Sequence, residues 1–102
     1  MAKTVWKFPL ELERLTTVAM PAGARIISVG RQKAGVPTIW AEVDSEETAK
    51  EIRVFLIVGT GHPLPEIDLA FVGTVFDEPF VWHIYETDMI IDEARRADAT
   101  EK

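Results

Sequence analysis

The chain has 102 residues, 47% hydrophobic and 27% charged, with a formal net charge of −6. That length gives room for one domain with a modest core, and the composition is too apolar for a disordered chain. Cysteine is absent, which excludes disulfides, thiolate nucleophiles and cysteine-based metal centres, and the acidic balance argues against direct nucleic-acid binding, which needs a cationic face.

Period-2 alternation runs through the first 85 positions, the mark of half-buried strands. Lys3–Phe8 alternates until Pro9 stops it, and Leu15–Met20 is rich in β-branched residues and ends at Pro21. Ala22-Gly23 turns the chain into Arg25–Gln32, and Lys33-Ala34-Gly35 turns it again into Thr38–Val43, so these two segments predict a hairpin. Asp44-Ser45-Glu46-Glu47-Thr48 reads as an exposed loop. Arg53–Val58 is a nearly continuous apolar run, the pattern of a central strand covered on both faces. Gly59-Thr60-Gly61-His62-Pro63-Leu64-Pro65 interrupts regular structure, and Ala70–Phe76 with Phe80–Tyr85 predicts a second hairpin across Asp77-Glu78-Pro79.

After Tyr85 the period changes. Ile90, Ala94 and Ala97 recur at helical spacing as a packed stripe, with Thr87 or Asp88 as N-cap, Asp92–Arg96 as an i,i+4 pair, and Arg95 and Asp98 facing outward. The expected fold is mainly β, a small antiparallel β-sandwich or barrel of about seven strands with a short C-terminal helix. Residues 1–86 form the β domain in this reading, and 87–102 the helix and a tail that frays after Asp98. Met1-Ala2-Lys3-Thr4 leads directly into the strand pattern, and no apolar run reaches membrane-spanning length. We therefore expect a cytoplasmic protein that engages no membrane.

Several blocks occur together: Val5-Trp6-Lys7-Phe8-Pro9-Leu10, Met20-Pro21-Ala22-Gly23-Ala24, Ile39-Trp40-Ala41, Gly59-Thr60-Gly61-His62-Pro63, Gly73-Thr74-Val75 and Phe80-Val81-Trp82-His83-Ile84-Tyr85-Glu86. In this order they resemble a family of uncharacterised small proteins encoded mainly by bacteriophages and prophages. The resemblance covers residues 3–86 and lends a setting, the cytoplasm of a bacterial host cell, but no catalytic residue.

Two places could carry chemistry. In Gly59-Thr60-Gly61-His62-Pro63 the glycines let backbone N–H groups approach a ligand, Thr60 adds a hydroxyl, and His62 can donate to a phosphate or carbonyl. It lacks the lysine and the following helix of a Walker loop. The plainer reading is a wide connection with positive φ at Gly59 and Gly61 and with His62 stacked on Pro63. In Trp82-His83-Ile84-Tyr85, Phe80, Trp82 and Ile84 are expected to face the core, which leaves His83 and Tyr85 together on the other side, able to stack on a ring. The plainer reading is a hydrogen-bonded, inert His83.

Two histidines and no cysteine give too few ligands for a zinc site without a carboxylate such as Glu86 or Asp68. Ser28 and Ser45 lie in no nucleophile elbow, and Glu46-Glu47 belongs to a solvated segment. We expect no metal and no cofactor. Trp6, Trp40 and Trp82 are large anchors, at least two of which should pack on the core or a sheet face.

The leading expectation is a non-enzymatic binding module for a host or phage protein, able to inhibit it. The alternative is a binder of, or small enzyme acting on, a nucleotide-like molecule, through Gly59–Pro63, Arg53 and His83. The pattern leaves self-association open.

Overall fold

Prolines and glycines punctuate the chain where the strands end. The computed structural model describes residues 2–100 and contains seven strands and one helix: β1 (Lys3–Pro9), β2 (Leu15–Pro21), β3 (Arg25–Lys33), β4 (Val36–Asp44), β5 (Lys50–Gly59), β6 (Ala70–Asp77), β7 (Phe80–Thr87) and α1 (Ile91–Thr100). Every strand pairing is antiparallel. The strands form two sheets, ordered β1-β4-β3 and β2-β5-β7-β6. Two separate sheets make this a sandwich and not a barrel.

Both expected hairpins are present as β3–β4 and β6–β7. β5 begins at Lys50, three residues before the apolar run, because pairing with β2 extends as far as Pro21 opposite Lys50. Glu51 thus lies in a strand, and the acidic connection occupies 45–49, one residue later than expected, because Asp44 still pairs with Lys3 in β4.

Register explains the core. Ile39, Ala41 and Val43 of β4 face Phe55 and Ile57 of β5, Val75 of β6 and Ile84 of β7 across the sandwich, with Met20 and Leu10 closing the cluster. The intervening residues of β5, Val54, Leu56 and Val58, point to the outer face, where Leu15 and Ala94 of α1 cover them. Five consecutive β5 side chains are therefore 4% exposed or less. Each such side chain contributes roughly 1.5–3 kcal/mol of burial, which makes β5 the strand that holds both layers together.

The helix differs from expectation in its face. Ile90 is 63% exposed, because α1 starts one residue later, and the inward stripe is Ile91, Ala94, Ala97 and Asp98. Asp98 is buried in an ion pair with Arg14, Nε to Oδ2 at 2.7 Å. It does not face outward. Thr87 Oγ1 accepts from the Met89 N–H at 3.2 Å, so it shapes the approach to the helix and does not cap it. Asp92 pairs with Arg95 at i,i+3 instead of with Arg96. The last two residues of the expected frayed tail lie outside the described residues.

The tryptophans occupy three settings. Trp82 is half-buried at the inner end of β7, and Trp40 lies over Gly30 on the uncovered outer face of the three-stranded sheet. Trp6 stands on edge strand β1 and is 38% exposed. Phe80, expected in the core, is 55% exposed because it pairs with Asp77 at the hairpin tip, where the sandwich ends.

Candidate functional site

β5 delivers Gly59 to the edge of the sandwich, and the chain reverses at once. The His62 N–H donates to Gly59 O at 3.1 Å, and Gly61 has φ +90°. A four-residue reversal with positive φ at its third position is the pattern of a type II turn, which favours glycine there. Gly59 itself is still in strand pairing with Trp82 and has no positive φ, so only one of the two glycines is needed for backbone reasons. A Cβ on Gly59 would touch Trp82 at 3.7 Å and His62 at 3.9 Å. The imidazole thus folds back over Gly59, and the two rings flank the bare Cα.

Two braces hold the turn. On the outer face of the four-stranded sheet, His83 Nε2 meets Thr60 Oγ1 at 2.7 Å and His83 Nδ1 meets Thr74 Oγ1 at 3.1 Å. A neutral imidazole donates through one nitrogen and accepts at the other, and a hydroxyl can do either, so both bonds form together. Thr74, His83 and Val58 lie side by side on β6, β7 and β5. The two sequence motifs, Gly59–Pro63 and Trp82–Tyr85, are thereby joined.

The second brace is Arg14. Its Nη2 donates to Pro63 O at 2.9 Å, while Nε and Nη2 hold both oxygens of Asp98 at 2.7 and 2.8 Å. The hydrogen bonds that Arg14 donates to Asp98, opposed by partial burial, raise its guanidinium above the usual range. Sequence reasoning missed both residues. A signal existed: Asp98 lies one helical turn beyond Ala94, on the face that packs against the sheet.

Of the sequence-derived candidates, Gly59, Thr60, Gly61, His62, His83 and Tyr85 line one shallow depression of ≈ 200 Å³. Tyr85 also packs edge-to-face with Phe71, ring centroids 5.4 Å apart, and contributes to the cluster under α1. Arg53 does not join them. It lies six residues back along β5, about 20 Å away at the usual strand rise. There its Nε and Nη2 bind Glu86 at 2.6 and 2.9 Å, and its Nη1 binds Ala24 O at 2.7 Å. Hydrogen bonding to Glu86 raises its pKa despite burial. Arg53 ties β5 to β7 and to the β2–β3 turn, at the end of β5 opposite the loop.

The other strand-borne arginines are engaged in the same way: Arg25 with Glu42 and Arg31 with Asp77, each at 3.0 Å. His62 and His83 border the same depression, and among the described residues no three potential metal ligands come together.

Around this turn the surface is aromatic. α1 contacts β2 and covers the β2–β5 half of the outer face. On the β6–β7 half, Phe71 is 61% and Phe76 72% exposed, on either side of the Thr60–His83–Thr74 chain, and the exposed Leu64 lines the depression beside His83 and Tyr85. Phe80 stacks on Trp82 on the opposite side of the same hairpin, centroids 5.3 Å apart.

The family described as "Domain of unknown function (DUF7352)" matches residues 1–93, all seven strands and the first turn of α1. The chain belongs to the DUF7352 family. No curated protein and no solved structure matches it. Within the DUF7352 match lie the turn, His83 and the exposed phenylalanines, whereas Asp98 lies beyond it. Among the described residues no helix is long and apolar enough to cross a membrane.

Proposed function

We propose that this DUF7352 protein is a non-enzymatic binding module that engages another protein through the uncovered β6–β7 half of its four-stranded sheet. The observation that carries this reading is the exposure of Phe71 and Phe76 on one face, beside a turn held rigid by His83 and Arg14. Exposed aromatics on a preorganised scaffold are what binding hot spots require, because little ordering entropy remains to be lost on association. The imidazole of His62 and the hydroxyl of Thr60 supply polar contacts at the rim of that face. The resemblance to phage-encoded proteins supports a partner in the bacterial cytoplasm, of host or phage origin, and inhibition as the outcome of binding.

A second reading, a nucleotide-like ligand, is favoured by one feature. A cleft of ≈ 320 Å³ lies between His62, Pro79, Phe80 and Trp82, and the buried Trp82 Nε1 has no hydrogen-bond partner. Among its described lining residues there is no Lys or Arg to meet a phosphate, which ranks this reading second.

One paired experiment separates the two. Wild type and Phe71→Ser/Phe76→Ser are used to capture proteins from bacterial lysate, and both are melted with a panel of nucleotides. The module reading expects a captured protein that the double variant loses at unchanged melting temperature, with no nucleotide shift. A nucleotide that raises the melting point of both chains supports the cleft instead.

A further inference from the structure

The end of the four-stranded sheet farthest from the Gly59–Pro63 turn carries a different surface. There β5 begins, β6 begins and β7 ends, and the chain crosses from β7 to α1. Two concavities of ≈ 520 and ≈ 440 Å³ share Glu86, Thr87 and Asp88 in their walls. They are larger than any depression around the turn described above.

Two apolar side chains stand in the open here: Ile52 and Ile90 are 66% and 63% exposed, and both line the smaller concavity together with Met89. Neither belongs to the two apolar clusters of the fold, so folding gains little from either. Carboxylates accompany them: Glu51 and Asp88 line the same concavity, and Asp68 lines the larger one that shares Asp88 with it. The one cation in the lining, Arg53, already donates to Glu86 and Ala24 O. Glu93, in the first turn of α1, adds to the same field, whereas Asp92 beside it is paired with Arg95. In the smaller concavity the three carboxylates of Glu51, Glu86 and Asp88 face the one guanidinium of Arg53, so its lining keeps a net negative charge, as the chain does overall at −6.

We propose that this concavity docks a basic, apolar segment of a partner protein, with aliphatic side chains seated against Ile52 and Ile90 and flanking lysines or arginines meeting Glu51, Asp68 and Asp88. Complementary charge both steers such a segment in and selects it over others. An anionic membrane or a nucleic acid meets like charge here and is repelled. The surface adjoins the aromatic β6–β7 face at the Ala70–Glu86 pair, but its apolar anchors, Ile52 and Ile90, are distinct from Phe71 and Phe76, so each set can be substituted without the other.

The test uses the full chain, labelled for NMR, and three synthetic peptides: one of interleaved leucine and lysine, one with glutamate replacing lysine, and one with serine replacing leucine. The leucine–lysine peptide should bind, shifting amides of Glu51, Ile52, Asp68 and Asp88–Ile90. Ile52→Ser/Ile90→Ser should weaken it about tenfold or more, and Asp68→Asn/Asp88→Asn by several-fold, with that second effect shrinking as salt rises. All four positions are exposed, so the variants should keep the wild-type spectrum elsewhere. No binding overturns the proposal. So does equal binding of the serine peptide, which would be charge attraction alone, or a shift map confined to the β6–β7 face.

Discussion

His83 and His62 stand a few residues from one another in space but differ in what they hold. His83 bridges two strands and the turn through two hydroxyls, whereas the exposed His62 has only its backbone N–H committed, to Gly59 O. His83→Ala should therefore cost about 1–2 kcal/mol of stability, the scale of two net hydrogen bonds. His62→Ala should change stability by less than about 0.5 kcal/mol and weaken partner binding by roughly 1–3 kcal/mol, as for a hydrogen bond to a charged or desolvated group. Denaturant titration beside binding measurements checks both, and a large stability loss at His62 would make the turn purely structural. Asp44 offers a pH test. Its Oδ1 accepts from the N–H groups of Glu46 at 3.0 Å and Ala2 at 3.1 Å, which lowers its pKa. A carboxylate lowered in the native state contributes stability above its unfolded pKa and loses it as pH falls through the native value. The stability gap between wild type and Asp44→Asn should thus be present at neutral pH and vanish below the ordinary carboxylate range; a gap independent of pH would contradict this assignment.

At the scale of elements, α1 is short but covers one half of the outer face through Ala94 and Ile91 and is pinned by Asp98. Deleting 92–102 should leave a folded sandwich, because the cluster between the sheets contains no helical residue. It should also uncover Val54, Leu56 and Leu15, costing about 2–4 kcal/mol by loss of their cover. A cooperative transition at a lower denaturant midpoint is the expected result, and a non-cooperative melt would show that α1 is required for the fold. β6 carries a bulge between Phe71 and Gly73, a feature that discourages edge-to-edge pairing. At Gly73 a Cβ would collide with Val29 Cγ1 of β3. Gly73→Ala should then cost about 1–3 kcal/mol, as in other overpacked cores, and Val29→Ala in the same chain should recover part of it.

For the molecule as a whole, the sequence carried the strands clearly and the site in part. The nearly continuous apolar run Arg53–Val58 announced a strand covered on both faces, and β5 is that strand, because both of its alternating sets meet apolar layers. Residues 59–63 were recognisable as a special path from two glycines ahead of His-Pro, although only Gly61 needs a positive φ and Gly59 ends β5. What period-2 patterning could not convey was which ends of the strands meet. Arg53 and Gly59 share a strand yet lie at opposite ends of it, and the Arg14–Asp98 contact spans 84 positions. Charged residues on a buried helical face defeat hydropathy reading, because Asp98 is tolerated there through its ion pair with Arg14.

The reading of the protein as a binding module rests on the β6–β7 face being the surface a partner covers. The most direct measurement is an amide spectrum of the isotopically labelled protein in buffer and in concentrated bacterial lysate. Contact with a large partner should broaden the signals of Phe71, Thr74, Phe76 and His83 and of Thr60 through Leu64, and Phe76→Ser should restore them. A spectrum unchanged in lysate, or broadening centred instead on Trp40 and the outer face of the three-stranded sheet, would contradict the account.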